Sequence, residues 1–373
     1  MRCKEKLYVG LLLVGVTTFL AACEKRSKPI PMASEAAWSP DSQQIVYVCY
    51  EEVPFVDWNG SGSHTSDTDL CVMNRDGMNR RYLVRQPGDD RWPRWSPDGK
   101  AIAFISSNKL CTFDLREGKP QQVFEGHAES PGWSPDGHRI AFVGRRGSEP
   151  YTIHIIDQNG QSLADLENLE GETLCDPRWS PDGNQIAYTS TLERDCYISL
   201  DNNPYRIMIA DARGSSPARR IADDLAPVRN LTWIDQETLA YSSSPGIERG
   251  YTLYSIDLKS GSRTEIETKK GIFAWAPDRT ALAYTASEEA VYVRDFSPDQ
   301  TIRVWEGREI NVWNIYSVEW SPDSQRLLIG VDEETPPDDT VGYSTYARTI
   351  WVVERDGRSA QRLTPFGPGH LAP

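Results

Sequence analysis

The amino-acid sequence predicts an all-β fold: a seven-bladed β-propeller of four-stranded antiparallel blades, with six blades as the alternative count. Three observations carry this prediction. A tryptophan-led turn element recurs along the chain, its copies stand about one blade apart, and each is followed by short β-branched and aromatic runs bounded by turn formers.

The element reads Trp38-Ser39-Pro40-Asp41. It returns as Trp95-Ser96-Pro97-Asp98-Gly99, Trp133-Ser134-Pro135-Asp136-Gly137, Trp179-Ser180-Pro181-Asp182-Gly183, Trp275-Ala276-Pro277-Asp278 and Trp320-Ser321-Pro322-Asp323. A decayed copy, Trp233-Ile234-Asp235, stands fifth and is the reason six blades stays as the alternative. The tryptophans are 57, 38, 46, 54, 42 and 45 residues apart, with 53 residues after Trp320.

Each unit has the same inner order. A β run follows the turn, as in Ile102-Ala103-Phe104-Ile105 or Ile140-Ala141-Phe142-Val143, and a second run such as Ile153-His154-Ile155-Ile156-Asp157 or Leu253-Tyr254-Ser255-Ile256-Asp257 comes next. Turn signals (Asp76-Gly77, Asn159-Gly160, Ser260-Gly261, Asp356-Gly357) precede a last short run. Proline presets φ, aspartate hydrogen-bonds its own backbone and glycine accepts positive φ, so the motif reverses the chain tightly. The indole is large enough to fill the wedge between blades, which gives the recurring aspartates a structural role.

These residues resemble the TolB-like propeller repeat, with its W-S-P-D-G turn followed by an I-A-F-like strand. The resemblance implies a propeller over nearly all of the chain beyond its N-terminal segment. For function it implies a binding or scaffolding protein of the envelope, since relatives of this kind bind partners, while others serve as non-catalytic parts of peptidases or as sugar-processing lyases.

The N-terminus gives an address. Arg2, Lys4 and Lys6 precede an apolar run, Leu7 to Leu20, too short to span a bilayer and ending in Leu20-Ala21-Ala22-Cys23. That ending resembles the lipobox of bacterial lipoproteins, which implies cleavage before Cys23 and its acylation. The expected organisation is a signal peptide at 1–22, a lipidated flexible tether at 23–32 and the propeller at 33–373, held on the extracytoplasmic side of an envelope membrane. After residue 22 the chain holds 37 Lys and Arg against 53 Asp and Glu, a net charge of −16, which disfavours nucleic acid and favours cationic partners.

Five cysteines remain after the signal and the anchor. By the repeat register Cys49 ends one strand and Cys71 opens the next, while Cys175 and Cys196 flank a strand pair in the fourth unit. Both pairs are expected as disulfides, each worth about 3 kcal/mol for loops of about 20 residues. Cys111 is expected to be a buried free thiol.

The long insertions, Tyr50 to Thr68, Thr191 to Pro204, Ser242 to Gly250 and Asp332 to Ala347, all fall between second and third strands and so crowd one face. One-sided insertions mark the binding side of a repeat protein. Ring closure makes blade 7 the neighbour of blade 1. The candidate binding residues are Glu51, Glu52, Phe55, Asp57, Trp58, Asp67 and Asp69 from blade 1, with Asp332, Glu333, Glu334, Asp338, Asp339, Tyr343 and Tyr346 from blade 7. Aromatics among carboxylates suit a cationic peptide, a protein, a glycan or a calcium ion.

No catalytic residues are assigned. The five histidines, His64, His127, His138, His154 and His370, lack metal-ligand spacing, and no G-x-S-x-G elbow, P-loop or dinucleotide fingerprint occurs. The sequence therefore reads as a monomeric, membrane-tethered binding propeller without a cofactor, calcium aside. A polysaccharide lyase or hydrolase acting at the pore and an envelope sensor domain are the alternatives.

Overall fold

The computed structural model describes residues 25–26, 30–57, 60–65, 67–149, 151–166, 171–192, 205–224, 227–243, 251–269, 271–287, 289–334 and 346–364. Their strands form seven antiparallel sheets in chain order, a seven-bladed propeller rather than the six-bladed alternative. Each blade is built from consecutive strands. The first strands, Ile30–Trp38, Asp90–Trp95, His127–Trp133, Thr173–Trp179, Val228–Trp233, Phe273–Trp275 and Val312–Trp320, all end on the repeat tryptophan. Most neighbouring first strands touch one another, which places them around the axis.

Second and third strands are apolar on both faces because a neighbouring blade covers each face; Ile102, Ala103 and Phe104 are all fully buried. The core is accordingly divided among the seams between blades. Val48, Leu70 and Val84 of blade 1 meet Phe104, Cys111 and Phe113 of blade 2. At the ring closure Ala33, Ile45, Tyr47 and Met73 of blade 1 meet Leu328, Ile350, Val352 and Leu363 of blade 7. No strand is exchanged between blades 1 and 7 among the described residues, so side chains close the ring.

The recurring turn does its work through its serine and aspartate. Ser39 Oγ donates to Asp41 Oδ1 at 2.5 Å and accepts the Gln44 N–H at 2.8 Å, and Asp41 Oδ1 also accepts the Gln43 N–H at 3.0 Å. The same bonds recur at Ser96, Ser134, Ser180 and Ser321. The turns also abut around the ring. Gly137 has φ +73°, and a Cβ there would lie 3.6 Å from Pro97 Cδ of the preceding blade. Where serine takes that left-handed position its hydroxyl bridges blades: Ser42 Oγ accepts the Asp323 N–H at 3.2 Å, and Ser324 Oγ the Asp278 N–H at 3.0 Å.

The indoles join blades in a second way. Trp133, Trp179, Trp233 and Trp320 donate Nε1–H to the carbonyls of Arg94, Gly132, Arg178 and Ala274, at 2.9 to 3.1 Å. Each acceptor immediately precedes the tryptophan of the blade before. The buried indole N–H groups of Trp38, Trp95 and Trp275 have no such partner among the described residues.

The insertion of blade 1 differs from the expected loop. The second strand continues as Gln44–Asp57, reverses so that Asp57 pairs with Gly60, and returns as Gly60–Thr65. Alternating Val53, Phe55 and the reversal signal Asn59-Gly60 explain the hairpin. The stretch read as a tether also enters this sheet, since Lys25–Arg26 pairs with Phe55 and Val56 and the first strand begins at Ile30. The signal segment and Cys23 lie outside the described residues.

Cys49 and Cys71 form a disulfide with their Cα atoms 5.9 Å apart. Cys175 is disulfide-bonded, and Cys196, its expected partner, lies outside the described residues. Cys111 is a buried free thiol in the strand Lys109–Asp114, and burial pushes it up to about 11.

Candidate ligand-binding face

Every first strand runs toward its tryptophan turn, so the connections between second and third strands lie on the opposite face of the ring. The turn face carries a shallow polar cavity of about 420 Å³ lined by Asp41, Gln43, Gln44, Asn74, Arg75 and Asp76. These are reversal residues of blade 1. The insertion face holds the candidate residues.

Those whose side chains are described form two groups, one on blade 1 and one on blade 7. Toward blade 2, Glu51 is exposed and Asp67 Oδ2 accepts the Gly88 N–H at 3.2 Å. Asp69, raised by burial despite the opposing Arg85 charge, lies 3.9 Å from that guanidinium. Toward the axis, Asp332 takes Arg348 Nε at 3.1 Å and Asn314 Nδ2 at 3.3 Å. Glu334 accepts Asn311 Nδ2 at 3.1 Å. Glu333 faces inward: it is 1% exposed, accepts the Trp351 indole N–H at 2.7 Å and the Thr349 hydroxyl, and lies 3.5 Å from Arg362. The side chains of Glu52, Phe55, Asp57 and Tyr346, and residues Trp58, Asp338, Asp339 and Tyr343, lie outside the described set.

Between the two groups stands a network that sequence reasoning missed. The Arg348 guanidinium lies 5.3 Å over the Tyr316 ring, and Tyr316 Oη donates to the Ala33 carbonyl at 3.0 Å across the ring closure. Glu35 Oε2 accepts the Trp92 N–H at 2.6 Å, joining blades 1 and 2. Burial raises Glu35 although that N–H and Arg94, Arg91 and Arg348 oppose it. Burial raises Glu319 in the same way, against Arg94 and a bond from the Trp38 backbone. Acidic groups held above the ordinary carboxylate range among arginines can bind charged groups or exchange protons.

The backbone explains how Glu35 is aimed. Glu35, Trp92, Ser130, Asp176 and Asn230 each stand three residues before a repeat tryptophan, at φ between 49° and 53°. At each, the pairing of first and second strands shifts register. A bulge re-aims a side chain and accompanies functional rims. The position repeats while its chemistry does not, unlike the recurring turn beside it. Charged residues one or three positions before a tryptophan, Glu35, Arg94, Asp176, Arg178 and Glu319, were the available signal.

Among the described residues, no group of three or more His, Cys, Asp or Glu is placed to hold a metal ion. Of the carboxylates considered for calcium, the described Asp332, Glu333 and Asp69 are each turned to a different partner. Nor is any helix among the described residues long and apolar enough to cross a membrane.

Comparisons with known proteins agree with this architecture. Residues 52–198 match the TolB beta propeller domain family. A stretch of 110 residues is 29% identical to dipeptidyl-peptidase 5 of Porphyromonas gingivalis, covering 27% of this chain but only 15% of that protein. Among solved structures, the β-propeller domain of the Trilobed protease from Pyrococcus furiosus, described as having an open velcro topology, superposes with a TM-score of 0.61 at 17% identity, covering 90% of this chain and 96% of that one. An oligogalacturonate lyase in complex with manganese gives 0.59 at 14% identity, over 87% and 90% of the two chains. A puromycin-hydrolyzing peptidase of Mycobacterium tuberculosis gives 0.64 at 14% identity, over 89% of this chain and 53% of that protein. At these identities the structural likeness is one of fold: the chain is a seven-bladed propeller, and residues 52–198 of it match the TolB beta propeller domain.

Proposed function

We propose that this protein is an extracytoplasmic binding propeller, tethered to an envelope membrane through Cys23, that captures a protein, peptide or glycan partner on its insertion face. The observation that carries the reading is that the insertions all join second to third strands and so belong to one side of the ring, two of them in the neighbouring blades 7 and 1. There Asp332, Arg348, Tyr316 and Glu35 supply charge and hydrogen-bonding capacity on rigid strands, the kind of support that keeps a binding surface preorganised. Removing residues 54–66 and 335–345 should abolish partner capture while thermal unfolding stays cooperative. Unchanged capture by a folded deletion variant refutes the site.

A second reading rests on Glu35 and Glu319, two raised carboxylates beside Arg94. It makes the axis a catalytic site for a polysaccharide. Turnover on a polysaccharide panel that disappears in Glu35→Gln would establish it in place of the binding reading.

A further inference from the structure

We propose that Trp313 anchors a cationic peptide segment at the blade 7 corner of the insertion face. The proposal rests on the preceding reading that this face binds, and it adds the anchor and the chemistry of the partner.

The first strand of blade 7 is irregular in a way its counterparts are not. Its pairing with the second strand shifts register between Ile315 and Ser317, beside Tyr316, as the other bulged first strands do once. It shifts again between Val312 and Asn314, so that Trp313 is an added bulge residue. The five other bulged first strands carry a single shift each, and the short first strand of blade 6 carries none. The added bulge turns the indole outward, where it is 57% exposed. Among the described residues it is the one exposed tryptophan, whereas the repeat indoles are wedged between blades.

The neighbours on this surface are set by strand pairing. Val312 opposes Glu333 and both point inward, so the adjacent Asp332 and Glu334 share the outward side with Trp313 and Asn314. Glu334 accepts the neutral Asn311 amide, while Asp332 is shared between Asn314 and Arg348. Nearby Arg308 is engaged by Glu306 and Glu289. An exposed indole beside an oriented carboxylate fits an arginine or lysine, whose charge is attracted to the ring face while its N–H groups donate to the acid. The net charge of −16 beyond residue 22 draws the same kind of partner from a distance. Tryptophan also recurs as a dominant binding residue of protein interfaces.

The test is fluorescence anisotropy of a labelled arginine-rich peptide titrated with the full chain, with a neutral oligosaccharide and an acidic peptide as competitors. Trp313→Ala should weaken peptide binding about tenfold, Trp313→Phe should retain part of it, and Glu334→Gln should weaken it about threefold. Met78→Ala, which removes an exposed side chain from the turn face, should change nothing. Equal binding by wild type, Trp313→Ala and Met78→Ala would mean a response to net charge alone and would overturn the proposal. So would competition by the oligosaccharide that depends on Trp313, which would assign the patch to a glycan. The deletion of 54–66 and 335–345 separates the two readings: lost capture of the natural partner with unaltered capture by Trp313→Ala removes the anchor and keeps the face.

Discussion

At the residue scale, the turn motif concentrates its stabilisation in a hydroxyl and a carboxylate. Ser39 holds Asp41 below the ordinary carboxylate range, and Lys100, then Ser96, lower Asp98 to about 2. Contributions of this kind are complete at neutral pH and vanish as pH falls through the lowered value. Arg279, exposed and at φ +63°, occupies the position that three other repeats give to glycine and two to serine. Arg279→Gly should therefore raise stability by about 0.5–1 kcal/mol, measured by denaturant unfolding. Asp90 is the opposite case. It is fully buried, neither carboxyl oxygen makes a hydrogen bond of good geometry among the described residues, and burial pushes it up to about 6 although the nearby Ser106 and Gln86 side chains oppose the rise. A raised acid favours the folded state only while protonated, so its contribution is full below the ordinary carboxylate value and is lost as pH rises through about 6. Asp90→Asn should stabilise the protein by about 1–3 kcal/mol at pH 8, relative to wild type, and the gain should shrink toward pH 4. Thermal melts of both proteins across that range check it.

At the scale of the element, the indoles make a graded prediction. Trp179→Phe removes both wedge area and the Nε1–H bond to Gly132, whereas Trp275→Phe removes area alone. The first should cost about 1 kcal/mol more than the second. The paired change Cys49→Ser with Cys71→Ser should cost about 3 kcal/mol, since the cross-link closes a separation of 22 residues. Much at this scale was legible in the sequence. Proline, aspartate and glycine at fixed offsets locate each reversal, and unbroken runs such as Ile102 to Ile105 mark strands covered on both sides. The hairpin Gln44–Asp57 with Gly60–Thr65 was not, because an insertion between known strands reads as loop until the Asn-Gly reversal is weighed.

For the whole molecule, the ring is held by seams of equal kind. Blades 7 and 1 close it with the apolar contact of Ala33 and Met73 against Ile350 and Leu363, the Tyr316 hydroxyl on Ala33 and the Ser42 hydroxyl under Asp323. The fold was legible because one unit is written seven times. The candidate site was legible only as a face. Repeats announce what every blade shares, whereas the axis network is built from Glu35, Arg94, Tyr316, Glu319 and Arg348, which come from different blades and differ in chemistry. Their meeting depends on bulges and ring closure, and neither has a sequence period.

The central claim is that partners engage the insertion face and not the turn face. Its most direct test introduces a photo-reactive phenylalanine, one position at a time, at Glu51 and Trp313 on the insertion face and at Lys100 and Asn184 on the turn face. Irradiation of intact cells should then yield a discrete cross-linked species from Glu51 or Trp313 and none from Lys100 or Asn184. Cross-linking confined to Lys100 and Asn184 would contradict the account.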